Sequence, residues 1–251
     1  MARGLERRAA DLRQPRHHPG GGPDPVIRAL IFDVFGTCVD WRSAIAREVA
    51  AAVPGVDAPA FADAWRGEYQ PAMARIREGG RGYVPLDDLH RENLDRVLAR
   101  FGAATPDAAT LARAWERLDP WPDTVRGLTA LQAARIVAPC SNGSIALMTH
   151  LARHAGLSWD CILGADIARD YKPKAAVYLA SCAALRLPPA EVAMVAAHND
   201  DLHAARAAGL RTAFVPRPTE HGPGQTTDLA PEADWDWVAD DFLDLAGRIG
   251  P

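Results

Sequence analysis

Short apolar, β-rich runs punctuate the chain at 26–32, 134–139, 161–163, 192–197 and 212–215, and from about residue 125 they alternate with helical patterns at 125–133, 145–154, 175–185 and 202–208. Consecutive strands can lie parallel only if a crossover, usually a helix, returns the chain to the same end of the sheet. The alternation therefore predicts an α/β fold with a doubly wound parallel sheet, and the isolated first run must join that sheet. That run ends at Asp33 and a turn at Gly36, the pattern of a buried parallel strand leading into a functional loop.

Between 43 and 119 the strand signal vanishes and helical periodicity takes over, clearest at Leu86, Leu89, Leu94, Val97, Leu98 and Phe101, with Gly102 placed to close the helix. The expected organisation is a disordered tail at 1–25, an α/β core from 26–42 and 120–251, and an all-helical cap at 43–119. The 251 residues and 48% hydrophobic content can bury such a core. An insert directly after the first strand lies beside the C-terminal strand edges, where parallel sheets bind ligands, so it is expected to act as a lid. The breaker-rich stretch 217–235 reads as an ordered surface loop without a legible function.

Charge narrows the partner. A net charge of -4, with 28 basic and 32 acidic residues interspersed, gives no field that would gather nucleic acid or an anionic membrane. No apolar stretch approaches the roughly 20 residues needed to span a bilayer. Cys38, Cys140, Cys161 and Cys182 are scattered among apolar neighbours without a CxxC pair, which argues against disulfides and zinc and for a reducing cytoplasm. A small molecule is the expected partner, and the reading leaves room for a homodimer.

Polar groups stand at successive strand ends: Asp33 with Thr37, the run Ser141-Asn142-Gly143-Ser144, Lys172-Pro173 with Tyr178, and His198-Asn199-Asp200-Asp201. Each alone is ordinary, since an Asp caps turns, a Ser/Asn run caps helices and a Lys before Pro is usually a surface charge. Their joint order is not. Through Asp33-Val-Phe-Gly-Thr37, Ser141-Asn-Gly, Lys172-Pro173 and Asp200-Asp201 the chain resembles the haloacid dehalogenase superfamily. Tyr171-Lys-Pro173 with Tyr178, and Trp65-Arg66 in the insert, are similar to the type II L-2-haloacid dehalogenases.

The residues bear on the chemistry independently. A phosphatase of this superfamily carries an acid two residues after its nucleophile to protonate an alkoxide, and Phe35 occupies that position here. Halide leaves without a proton, so a site lacking the acid suits displacement of halide. The resemblance implies that Asp33 attacks the carbon bearing halogen to give an ester that water hydrolyses, with Lys172 as a resident cation and neither metal nor cofactor required. It further implies that Thr37 and Ser141 bind the Asp33 or substrate carboxylate, that Asn142 receives carboxylate or halide, and that Arg66 reaches the substrate from the insert. Tyr178 is expected either to pack over the catalytic residues and contact substrate or to be an ordinary core aromatic, and Asp201, rivalled by Asp200, to hold Lys172 or orient water. Where relatives carry Ser-x-Asn-x-x-Asp, this chain has Ala196, His198 and Asp201, which gives His198 the water-holding position or makes it a packing residue. A magnesium-dependent phosphatase or phosphonatase and a non-catalytic binding protein are the competing readings.

Overall fold

The computed structural model describes residues 26–250; the tail expected at 1–25 lies outside the described residues. The strands are β1 (Ala29–Phe32), β2 (Val39–Asp40), β3 (Asp119–Pro120), β4 (Ile136–Ser141), β5 (Leu163–Gly164), β6 (Val192–Ala196), β7 (Arg211–Phe214) and β8 (Trp237–Val238). Six of them form one sheet in the order β5-β4-β1-β6-β7-β8, with every neighbouring pair parallel.

The apolar run of β1 is explained by its central place. Side chains alternate across a strand, so Leu30 and Phe32 enter one hydrophobic layer while Ala29 and Ile31 enter the other, and all four are fully buried. Helices Thr124–Gln132, Ile145–Ala155 and Phe242–Ile249 supply the first layer through Leu128, Leu131, Leu147, Leu151, Phe242 and Leu245. Helices Ala175–Leu185 and Asn199–Ala207 supply the second through Val177, Cys182, Leu202 and Ala205. From β1 the chain steps outward to β4 and β5, then crosses to the opposite side at β6. The crevice between β1 and β6 is therefore the switch point of the sheet, where loops diverge and a ligand can sit.

Helices Trp41–Ala52, Ala58–Gly67, Tyr69–Glu78, Leu86–Arg100 and Ala108–Ala112, and a 3-10 turn at Arg113–Glu116, run between β2 and β3. The first begins slightly earlier than the periodicity suggested, because the Asp40 carboxylate accepts from Ser43 N–H at 3.0 Å and caps it. Leu86–Arg100 ends as read, with Gly102 at φ +58°. The antiparallel pair β2–β3 was not legible in advance; two residues per strand carry no periodicity, yet the pair closes the base of the insert. The sixth strand β8, after the loop at 217–235, escaped for the same reason. It is tied to β7 by Asp236, which accepts from Thr212 N–H at 2.9 Å and pairs with Arg211 at 2.7 Å. Among the described residues no helix is long and apolar enough to cross a membrane.

Candidate active site

Asp33 follows β1 directly, and its N–H donates to Val195 O of β6 at 3.0 Å, so the backbone of the two central strands fixes its position in the crevice. A tight turn then folds the chain back: Cys38 N–H donates to Val34 O at 2.9 Å and Gly36 N–H to Val39 O at 3.1 Å. The turn returns Thr37 to the carboxylate. Its hydroxyl donates to Asp33 Oδ2 at 2.8 Å and accepts from Ala197 N–H of the β6 loop at 2.9 Å.

Lys172 is buried and bridges two carboxylates, with Nζ 2.8 Å from Asp33 Oδ1 and 2.5 Å from Asp201 Oδ2. Burial pulls the proton affinity of this ammonium down, but the charges of Asp201 and Asp33 more than reverse that and hold it well above the usual lysine range. Asp33 answers in kind. Burial would raise its pKa, yet the Lys172 charge and the hydrogen bond from His198 hold it far below the ordinary carboxylate range. The nucleophile candidate is thus an anion beside a fixed cation. The backbone of Lys172 is held by Asn142 Oδ1, which accepts its N–H at 2.7 Å.

On helix Asn199–Ala207, Asp201 faces Lys172 while Asp200 is exposed. Tyr178 is fully buried, and its hydroxyl donates to Asp201 Oδ1, so both Asp201 oxygens are engaged. The Oγ of Ser141 accepts from Gly143 N–H at 3.0 Å and shapes the turn after β4, while the Thr37 hydroxyl is bonded to Asp33.

His198 lies at the carboxylate, with Nδ1 3.1 Å from Asp33 Oδ2. Its Nε2 is 2.8 Å from Oε2 of Glu220, a residue of the loop at 217–235 for which no role was legible. Burial lowers the proton affinity of the imidazole, but Glu220 and Asp33 raise it well above the usual histidine range. Glu220 is itself kept below the ordinary carboxylate range by His198 despite its burial. The loop is clamped by Arg217, whose guanidinium donates to Thr37 O at 2.9 Å and pairs with Asp123 at 2.7 and 2.9 Å. No periodicity marks these residues; only a Glu and an Arg in a proline-rich loop could have been noticed.

The insert adds an aromatic wall. Phe35 meets Trp115 edge-on at 5.8 Å and His90 at 6.3 Å. Trp65 is core, with its Nε1 donating to His90 O at 3.1 Å, while the neighbouring Arg66 holds its guanidinium 4.1 Å over Tyr69 and 5.6 Å from the centre of the Trp41 ring. Tyr69, also missed in the sequence, is buried beneath the Arg66 guanidinium and stacks on His90 with ring centres 6.3 Å apart. Within the cluster the carboxylates of Asp33, Asp201 and Glu220 outnumber the cations Lys172 and His198. An anionic substrate needs a further positive charge, and Arg66 is the cation stacked beside the site without a carboxylate partner among the described residues.

A family model for haloacid dehalogenase-like hydrolases matches residues 27–209. The (S)-2-haloacid dehalogenase of Xanthobacter autotrophicus is 30% identical over 196 residues, covering 76% of each chain, and (S)-2-haloacid dehalogenase 1 of Pseudomonas sp. (strain CBS-3) is 32% identical over 199 residues, covering 77% of this chain and 86% of that one. Among solved structures, a defluorinating L-2-haloacid dehalogenase superposes with TM-score 0.84 at 51% identity, covering 89% of this chain and 95% of the other. The Xanthobacter autotrophicus enzyme with chloropropionic acid covalently bound superposes with TM-score 0.75 at 26% identity, covering 89% and 98%. The parallel sheet, the carboxylate at the end of its central strand and these likenesses agree: the chain belongs to the haloacid dehalogenase-like hydrolases.

Proposed function

We propose that the protein is a hydrolytic 2-haloacid dehalogenase that converts (S)-2-haloacids to 2-hydroxy acids through an ester on Asp33. The observation that carries this reading is the Asp33 carboxylate held as an anion by Lys172 Nζ at 2.8 Å, with Phe35 in the place where a proton donor for an alkoxide would stand. One oxygen of Asp33 attacks C2 of the haloacid, the C–O bond forms as the carbon–halogen bond breaks, and halide leaves with the bonding pair. Water then adds to the Asp33 carbonyl carbon, the hydroxy acid departs, and the carboxylate is restored. Covalent attachment of chloropropionic acid in the Xanthobacter enzyme supports the two-step course.

The placement of the residues supports the following roles. Lys172 offsets the charge of the nucleophile and is itself held by Asp201, which Tyr178 and Lys172 fix. Thr37 orients the nucleophile's second oxygen. Arg66 takes the substrate carboxylate from the insert, which acts as the cap, and Asn142 with the turn at Ser141 lines the opposite side. Phe35 forms the apolar wall, and His198 holds the hydrolytic water. The ammonium bridging Asp33 and Asp201 does electrostatically what a magnesium ion does in related phosphatases, so activity on 2-chloropropionate should survive EDTA. Single-turnover reaction in heavy-oxygen water tests the pathway: label should enter Asp33 first and the product only in later turnovers. Label appearing in the first-turnover product, or phosphate release dependent on magnesium, would overturn the reading.

A further inference from the structure

Resting on the dehalogenase reading, we infer that Glu220 and His198 form a proton-accepting dyad for breakdown of the Asp33 ester, with His198 Nδ1 taking the proton of the attacking water and Glu220 positioning the ring through Nε2. The groups around Asp33 leave His198 as the group free to do this. Lys172 is an ammonium locked between two carboxylates, both Asp201 oxygens are taken by Lys172 and Tyr178, and the Thr37 hydroxyl is committed to Asp33 and Ala197. The Nδ1 of His198, 3.1 Å from Asp33 Oδ2, can change from donor to acceptor.

Glu220 is built into place rather than resting there. It is 1% exposed, its second oxygen accepts from Trp41 Nε1 at 2.9 Å, and its backbone N–H closes a turn onto Arg217 O at 3.1 Å. The turn at Gly36 makes the room: a Cβ there would fall 2.1 Å from Glu220 Oε1, and φ of +88° suits glycine in any case. Thus the loop that returns Thr37 to the nucleophile also admits the carboxylate behind His198. The charged and titratable groups facing the ring are Asp33 and Glu220, with Lys172 and Asp201 beyond the former and His221, 3.6 Å from Glu220, beyond the latter.

The proton inventory closes over one cycle. In the free enzyme His198 is an imidazolium between two carboxylates. Alkylation turns Asp33 into a neutral ester and removes one of them, so Nδ1 releases its proton to solvent, to which the side chain is 22% exposed. Water then attacks the ester carbon as Nδ1 takes one of its protons. Collapse of the tetrahedral adduct breaks the bond to the hydroxy acid, whose oxygen takes that proton from Nδ1. The remaining carboxyl proton of Asp33 passes to Nδ1 and regenerates the resting ion pair. The net products are hydroxy acid, halide and one proton.

Glu220→Gln keeps the shape and removes the charge. With 2-chloropropionate, halide release in the first turnover should match wild type, while ester breakdown slows roughly tenfold or more, so that the adduct accumulates on intact-protein mass spectrometry. The acid limb of single-turnover ester hydrolysis should also move to lower pH, because an imidazolium without Glu220 is less stabilised, and Glu220→Asp should return it toward the wild-type position. Ester breakdown and acid limb both unchanged in Glu220→Gln would overturn the dyad, as would slowed halide release without accumulated ester. Should Glu220→Gln fail to fold, Trp41→Phe removes the 2.9 Å hydrogen bond to the carboxylate and is expected to slow the same step severalfold; no slowing would count against the inference. Absence of halide release by wild type would instead sink the dehalogenase reading itself.

Discussion

Thr37→Val is the sharpest single test of how the nucleophile is held, because the substitution is nearly isosteric and removes one hydroxyl that works in two directions. That hydroxyl donates to Asp33 Oδ2 at 2.8 Å and accepts from Ala197 N–H at 2.9 Å, in a side chain with no solvent exposure. A hydrogen bond to a charged group contributes about 2 kcal/mol, and a buried N–H left without a partner costs about 1–3 kcal/mol. The two losses share one atom and partial relaxation is expected, so we expect a destabilisation of roughly 3–4 kcal/mol in urea unfolding at pH 7. Thr37→Ser keeps both bonds and should cost only the buried methyl, about 1 kcal/mol. The charged part can be separated in the Asp33→Asn background, where Thr37→Val should cost about 1 kcal/mol less, a coupling measurable by double-mutant cycle. Thr37→Val within about 1 kcal/mol of Thr37→Ser in the wild-type background would refute the argument.

Arg217→Ala should destabilise the fold by about 2–3 kcal/mol, since it leaves the part-buried Asp123 carboxylate with only Phe242 N–H among these partners and leaves the buried Thr37 O without its donor; a loss below about 1 kcal/mol in chemical denaturation would show the clamp to be dispensable. The raised proton affinity of folded His198 stabilises the protein fully below about pH 6.5 and is lost as pH rises through the folded value, so thermal stability should fall on the alkaline side more steeply in wild type than in His198→Gln. Parallel melting curves across that range would contradict the ion pair. Arg66→Lys retains charge but loses the planar fork, and should lower kcat/KM on 2-chloropropionate by about 2 kcal/mol, or roughly thirtyfold; unchanged kinetics would transfer carboxylate binding to another cation of the insert.

The parallel sheet and the helical insert were legible in the chain because burial writes itself as periodicity, and Asp33 because it interrupts the apolar run of β1; Lys172, beyond a short helix after β5, and Asp201, within helix Asn199–Ala207, were marked by their motifs. Helix Ala175–Leu185 was read with its observed bounds, and β1, β4 and β6 were displaced by a few residues at most. Pairings across long separations were not legible. Glu220 meets His198 and Trp41, Arg217 meets Asp123, and Asn142 meets the backbone of Lys172, contacts fixed by where loops of unrelated periodicity converge. Tyr178 shows the limit from the other side: its place in the motif pointed to the site, but only its burial in the sheet's second layer showed that its hydroxyl meets Asp201. Local sequence sets the elements because hydrophobic patterning repeats within each of them; the proton chemistry of the site is decided by tertiary structure, because a carboxylate's partners are set by distance in space and leave no spacing in the chain.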